Sequence, residues 1–123
     1  MRAYISTLHK LAWTGYALAL IVCSLAPVDL SGAPEHGDKL LHFLAYCLLV
    51  MFWPPVWLGI TGRLALAAGL GLVLEIAQGA LPTGRFADPW DALANTLGAV
   101  LGAGMIFACA RRTTADLGPR GGA

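Results

Sequence analysis

Residues 64–81 read LALAAGLGLVLEIAQGAL. Apart from Glu75 and Gln78, every side chain here is aliphatic, small or absent. About 20 such residues cross the roughly 30 Å hydrocarbon core of a bilayer. Three more stretches share this character: 11–28, 40–60 and 92–110. Besides thiols and phenols, the ionisable side chains inside the four stretches are His42 and Glu75. A soluble bundle needs helices with polar outer faces, and these are apolar all round. The 123-residue chain is 58% hydrophobic and 12% charged, against about 25% charged in soluble domains. The sequence predicts an all-α, integral membrane four-helix bundle. It forms one domain over 1–110, followed by a short polar tail over 111–123 that is expected to be disordered.

The first apolar run has 18 residues, longer than the 7 to 15 of a signal-peptide core, so it is expected to remain as a helix. Cys23 follows Ile21 and Val22, which does not suit lipoprotein processing. Cys23, Cys47 and Cys109 lie singly in apolar runs and read as small packing residues. A net charge of +1 implies no nucleic-acid partner.

Charge placement predicts orientation. Arg2, Lys10, Arg63, Arg111, Arg112 and Arg120 fall on one side of the four-pass arrangement, and Lys39 and Arg85 on the other. Basic residues favour the cytoplasmic side, so both termini are expected there. Asp29, Glu35, Asp38 and Asp88 then belong to the outer loops. Trp13, Trp53 and Trp57 are predicted near the inner interface, and Phe86 and Trp90 near the outer one. Pro54-Pro55 is expected to shorten or kink the second helix.

The polar residues converge in depth. Glu75 lies about 9 Å below the outer end of the third helix, and Gln78 about half as deep on the same face. Asp38, His42 and Tyr46 form one stripe of the second helix at i, i+4, i+8. Asp91 and Asn95 form another on the fourth, and Arg85 occupies the loop between helices three and four. A charge inside the membrane costs at least about 2.5 kcal/mol, so such groups pair and mark function. Glu75 is expected to face His42, Arg85 and Asp91 across a small outward-facing pocket. Bland readings stand beside this. Asp88 reads as an N-cap, Pro89 as the first helical residue and Asp91 as the third position of a capping box. Asn95 and Gln78 also serve as hydrogen-bonding glue, Tyr46 as packing and Lys39 as a snorkelling cation. Ala94, Gly98 and Gly102, like Ala67 and Gly71, are small-residue steps for close helix packing. A tight hairpin of helices three and four is expected to bring Glu75 beside Asn95.

DKLLHFLAY at 38–46, EIAQ at 75–78 and RFADPWDALANTLGAVLG at 85–102 resemble the VanZ-like family of small bacterial membrane proteins. Asp38, Lys39, His42, Tyr46, Glu75, Gln78, Arg85, Asp91, Asn95, Gly98 and Gly102 match its pattern in order and spacing. The resemblance implies a four-helix protein of the bacterial cytoplasmic membrane. It also implies a cell-envelope role akin to low-level resistance to teicoplanin, a lipid-tailed antibiotic acting at the outer leaflet. The leading reading is a protein that binds or modifies an envelope lipid or lipid-linked precursor. Asp38, Lys39, Tyr46, Gln78, Arg85 and Asn95 would bind the ligand, Lys39 and Arg85 holding an anionic headgroup. His42, Glu75 and Asp91 would supply any acid/base chemistry. The alternatives are a structural or partner subunit and a proton- or ion-coupled transporter. No cofactor is expected, zinc on His42 and two carboxylates being the residual option.

Reporter fusions at Arg112 and Pro34 are expected to show opposite sides of the membrane. A common side for both overturns the orientation.

Overall fold

The computed structural model describes residues 2–27, 32, 37–54, 58–82 and 84–116. The expectations for Asp29, Glu35, Pro55, Trp57 and Arg120 lie outside the described residues. Four helices follow one another: α1 Arg2–Leu25, α2 Gly37–Met51, α3 Ile60–Ala80 and α4 Pro89–Asp116. No strand occurs among the described residues. Tyr4–Leu25, Ile60–Ala80 and Pro89–Thr113 are long and apolar enough to cross a membrane.

α2 is shorter than its apolar run. It has 15 residues and ends at Met51, not near residue 60. Proline lacks an N–H, and its ring clashes with the carbonyl four residues back. Pro54 therefore stops the helix, whose last turn closes through Phe52 N–H to Leu48 C=O at 3.0 Å. Trp53 is then buried against Trp13, ring centroids 4.4 Å apart. α4 is longer than expected. It runs through Arg111 and Arg112 to Asp116, with the Arg111 guanidinium 4.4 Å from the Phe107 ring centre. The polar segment expected to be irregular from residue 111 is thus helical for its first six residues.

α2, α3 and α4 pack through small residues. A methyl group at Gly98 would overlap the Phe43 carbonyl, and one at Gly102 the Cys47 carbonyl, so α4 lies directly on the α2 backbone. A methyl at Gly71 would approach the Asn95 side chain to 3.1 Å, which seats α3 on α4. Lipid is as apolar as leucine, so close backbone approach replaces hydrophobic burial as the source of packing energy. The exterior agrees: Leu18, Leu44, Leu66, Leu72, Leu97 and Val100 are all exposed.

α1 is attached differently, by side chains that reach across a gap to carbonyls. Trp13 Nε1–H donates to Leu49 O at 2.9 Å, and Tyr16 O–H to Ala45 O at 2.9 Å. His9 Nε2 lies 2.7 Å from Phe52 O. From α3, Gln78 Nε2–H donates to Ser24 O at 2.7 Å.

Gly98→Ala is expected to destabilise by about 1 to 3 kcal/mol through overpacking against α2. Gly104 has open space around it. Gly104→Ala is expected to be neutral or stabilising by up to about 1 kcal/mol, since alanine suits helices better. Thermal melts in detergent check both, and equal melting temperatures for the two variants would contradict the close α2–α4 contact.

Candidate functional site

The site forms where α2 and α4 begin and α3 ends. Asp88 precedes Pro89 and caps α4, its Oδ1 accepting the Trp90 N–H at 2.9 Å. A carboxylate suits this position because the first helical N–H groups lack partners. Its other oxygen accepts from Lys39 Nζ of α2 at 2.7 Å. Lys39 also donates to Asp91 Oδ1 at 3.1 Å and Asp38 Oδ2 at 3.4 Å. An ammonium has three donors, and three carboxylates take them. Lys39, expected to hold an anionic headgroup, is engaged by these three carboxylates.

One turn along α2, His42 sits between two residues of α4. Its Nδ1 is 3.1 Å from Asn95 Oδ1, and its Nε2 is 3.5 Å from Asp91 Oδ2. The i, i+4 spacing on each helix produces this match, as His42 follows Asp38 and Asn95 follows Asp91 by one turn. Asp91 and Asn95 are buried, 5% and 2% exposed, so their polar atoms depend on these partners.

Glu75 does not pair with Arg85. Its Oε1 accepts the backbone N–H of Asp88. In a capping box the third helical residue returns to that N–H. Here Asp91 holds that place but is turned to Lys39 and His42, and Glu75 supplies the acceptor from α3 instead. Gln78, also expected at the pocket, points to α1 and tethers it through Ser24.

Arg85 and Tyr46 share a cavity of about 340 Å³ between α1 and α2. Asp38 and His42 line its polar end, and Tyr16, Leu20, Leu41 and Ala45 its apolar body. Arg85 is half-buried and makes no ion pair among the described residues. Tyr46 is 1% exposed, and its hydroxyl has no hydrogen-bond partner among the described residues. Among the described residues no three His, Cys, Asp or Glu side chains are arranged to hold a metal ion. Sequence reasoning missed Tyr16 and Ser24. Their signal was the α1 stripe His9, Trp13, Tyr16, Leu20 and Ser24, a face of that helix carrying polar atoms at helical spacing.

Asp88 lies outside the apolar spans. The Lys39 ammonium, and second the Trp90 N–H, hold its carboxyl below the ordinary 3.8. As pH falls the unfolded chain takes up this proton first. The stabilisation is complete above the ordinary value and is lost as pH drops below it through the folded value. The melting temperature is expected to decline below about pH 4, where carboxylates titrate. Asp88→Asn is expected to melt lower at pH 7 and to show a shallower acid decline. A variant that melts like the parent at both pH values would contradict the pairing.

A family model described as VanZ/LLP1 matches residues 4–110. No curated protein and no solved structure matches the chain. The chain belongs to the VanZ/LLP1 family.

Proposed function

We propose that this VanZ/LLP1 member binds an envelope lipid or lipid-linked precursor in the cavity between α1 and α2. One observation carries the reading: the cavity joins an apolar body to a polar end bearing Arg85, His42 and Asp38. A lipid divides in the same way, between hydrocarbon and headgroup. Arg85 is the cation left to meet a phosphate, since Lys39 is held by Asp38, Asp88 and Asp91. In this reading the chain is a multi-pass protein of the bacterial cytoplasmic membrane, with both termini inside and the polar end at the outer leaflet. The bias of basic residues supports that orientation. Sequestering a lipid there would offer a route to altered sensitivity to a lipid-tailed glycopeptide.

Of the three acid/base candidates, His42 alone lines the cavity. Glu75 and Asp91 are occupied by Asp88, Lys39 and His42. This favours binding over carboxylate catalysis and leaves His42, backed by Asp91, as the group placed to move a proton.

Arg85→Ala is expected to weaken lipid retention by roughly tenfold, the scale of one charge-assisted hydrogen bond, with an unchanged melting temperature. Gln78→Ala is expected to lower the melting temperature, because it frees α1. Native mass spectrometry of lipid-bound protein and melts in detergent separate the two effects. Lipid retention insensitive to Arg85→Ala would overturn the binding reading.

A further inference from the structure

The polar end of the cavity carries both signs of charge. Lys39 is shared by three carboxylates, so the cluster of Asp38, Asp88, Asp91 and Lys39 has more negative than positive charge. The three acids are not equally satisfied. Asp88 also accepts the Trp90 N–H, and Asp91 also faces His42. Asp38 holds Lys39 at the longest of the three distances, 3.4 Å, its remaining support being the backbone N–H groups of the first turn of α2, and its side chain is about a third exposed. Asp38 also lines the cavity, as do Arg85, His42 and Tyr46. Tyr46 is a further pointer to a ligand. The residue is 1% exposed and lines the same cavity, and its buried hydroxyl has no hydrogen-bond partner among the described residues. A buried hydroxyl without a hydrogen bond costs free energy that a ligand oxygen or nitrogen would recover.

We infer that the cavity selects a zwitterionic lipid headgroup, a phosphodiester carrying a primary amine, with the phosphate on Arg85 and the ammonium on Asp38. This rests on the lipid-binding reading above and narrows it. A guanidinium matches phosphate with paired N–H donors. A primary ammonium supplies N–H donors that a carboxylate can accept. A purely anionic headgroup would satisfy Arg85 but bring further negative charge to an acidic cluster. A quaternary ammonium would supply charge but no N–H.

The test is native mass spectrometry of the full chain in detergent. It is offered an equimolar mixture of phosphatidylethanolamine, phosphatidylglycerol and phosphatidylcholine with matched acyl chains. The unmodified protein is expected to retain phosphatidylethanolamine about tenfold over phosphatidylglycerol, with phosphatidylcholine between, on the scale of one charge-assisted hydrogen bond. Asp38→Asn is expected to bring the ratio near one while total bound lipid persists, and Asp38→Glu to keep the preference. Arg85→Ala is expected to reduce all three. Equal or greater retention of phosphatidylglycerol by the unmodified protein, still lost in Arg85→Ala, overturns the zwitterion and leaves the lipid reading standing. Phosphatidylcholine bound as well as phosphatidylethanolamine overturns the primary amine. Retention of every lipid unaffected by Arg85→Ala overturns both readings. Soluble glycerophosphoethanolamine at millimolar concentration is expected not to displace the lipid, and complete displacement would assign the site to a free phosphodiester.

Discussion

The structure depends on one ammonium group held among three carboxylates. Lys39 of α2 reaches Asp88 and Asp91 at the start of α4, and Asp38 beside it. Without it three negative charges would stand close together, and like charges so placed are disfavoured. Its length also fixes geometry. The register that lets Lys39 reach Asp88 is the register that lays Gly98 on the Phe43 carbonyl and Gly102 on the Cys47 carbonyl. Electrostatics at one end and backbone contact further along specify the same docking of α4 on α2. With both in place, His42 necessarily falls between Asp91 and Asn95.

The polar residues divide into two groups with different work. Glu75 and Gln78 are braces. One holds the N–H that opens α4, and the other holds the carbonyl of Ser24 near the end of α1. Both satisfy backbone groups that lipid could not. Asp38, His42, Tyr46 and Arg85 instead border open space. The space exists because α1 meets α2 through Trp13, Tyr16 and His9 rather than through glycine. Large side chains reaching to carbonyls keep the helices apart. A second gap of about 320 Å³, lined by His9, Trp13, Leu48 and Phe52, lies further along the same face and shares Tyr16. Glycine closes the α2–α4 seam and aromatic spacers open the α1–α2 seam, so the choice of packing residue determines where the gap lies.

Much of this was legible in the sequence. The apolar runs and the polar stripes at i, i+4 gave four helices and the residues facing inward at one level. Asp38, Lys39, His42, Asp91 and Asn95 do meet. Periodicity assigns a residue to a face of its own helix, but it does not say which neighbour that face meets. Hence Glu75, expected to face His42, Arg85 and Asp91, gives its Oε1 to a backbone N–H, and Gln78, read both as a pocket residue and as hydrogen-bonding glue, holds α1. Asp91 was read both as a pocket residue and as the third position of a capping box. The nearby Lys39 offered it a stronger partner than a neutral N–H. The shortening of α2 was legible in Pro54-Pro55, and the helix ends at Met51. Hydropathy alone does not place that end, since the residues past Met51 stay largely apolar.

The shortness of α2 also bears on how deep the site lies. At about 1.5 Å per residue its 15 residues cover about 22 Å, against roughly 30 Å of hydrocarbon. Trp13 and Trp53 pack together at one end of it, and paired tryptophans favour the interface. A bilayer that matched α2 would have to thin by about 8 Å around its short span. α1 and α3 are long enough to cross without thinning, while α4 begins beside the cluster, Asp88 lying 2.7 Å from Lys39. A lipid whose hydrocarbon follows the α1–α2 gap would have to bring its headgroup down to the level of that cluster. The charges at Asp38 and Arg85 would offset the lost hydration, and a headgroup unable to answer both signs would gain nothing by descending.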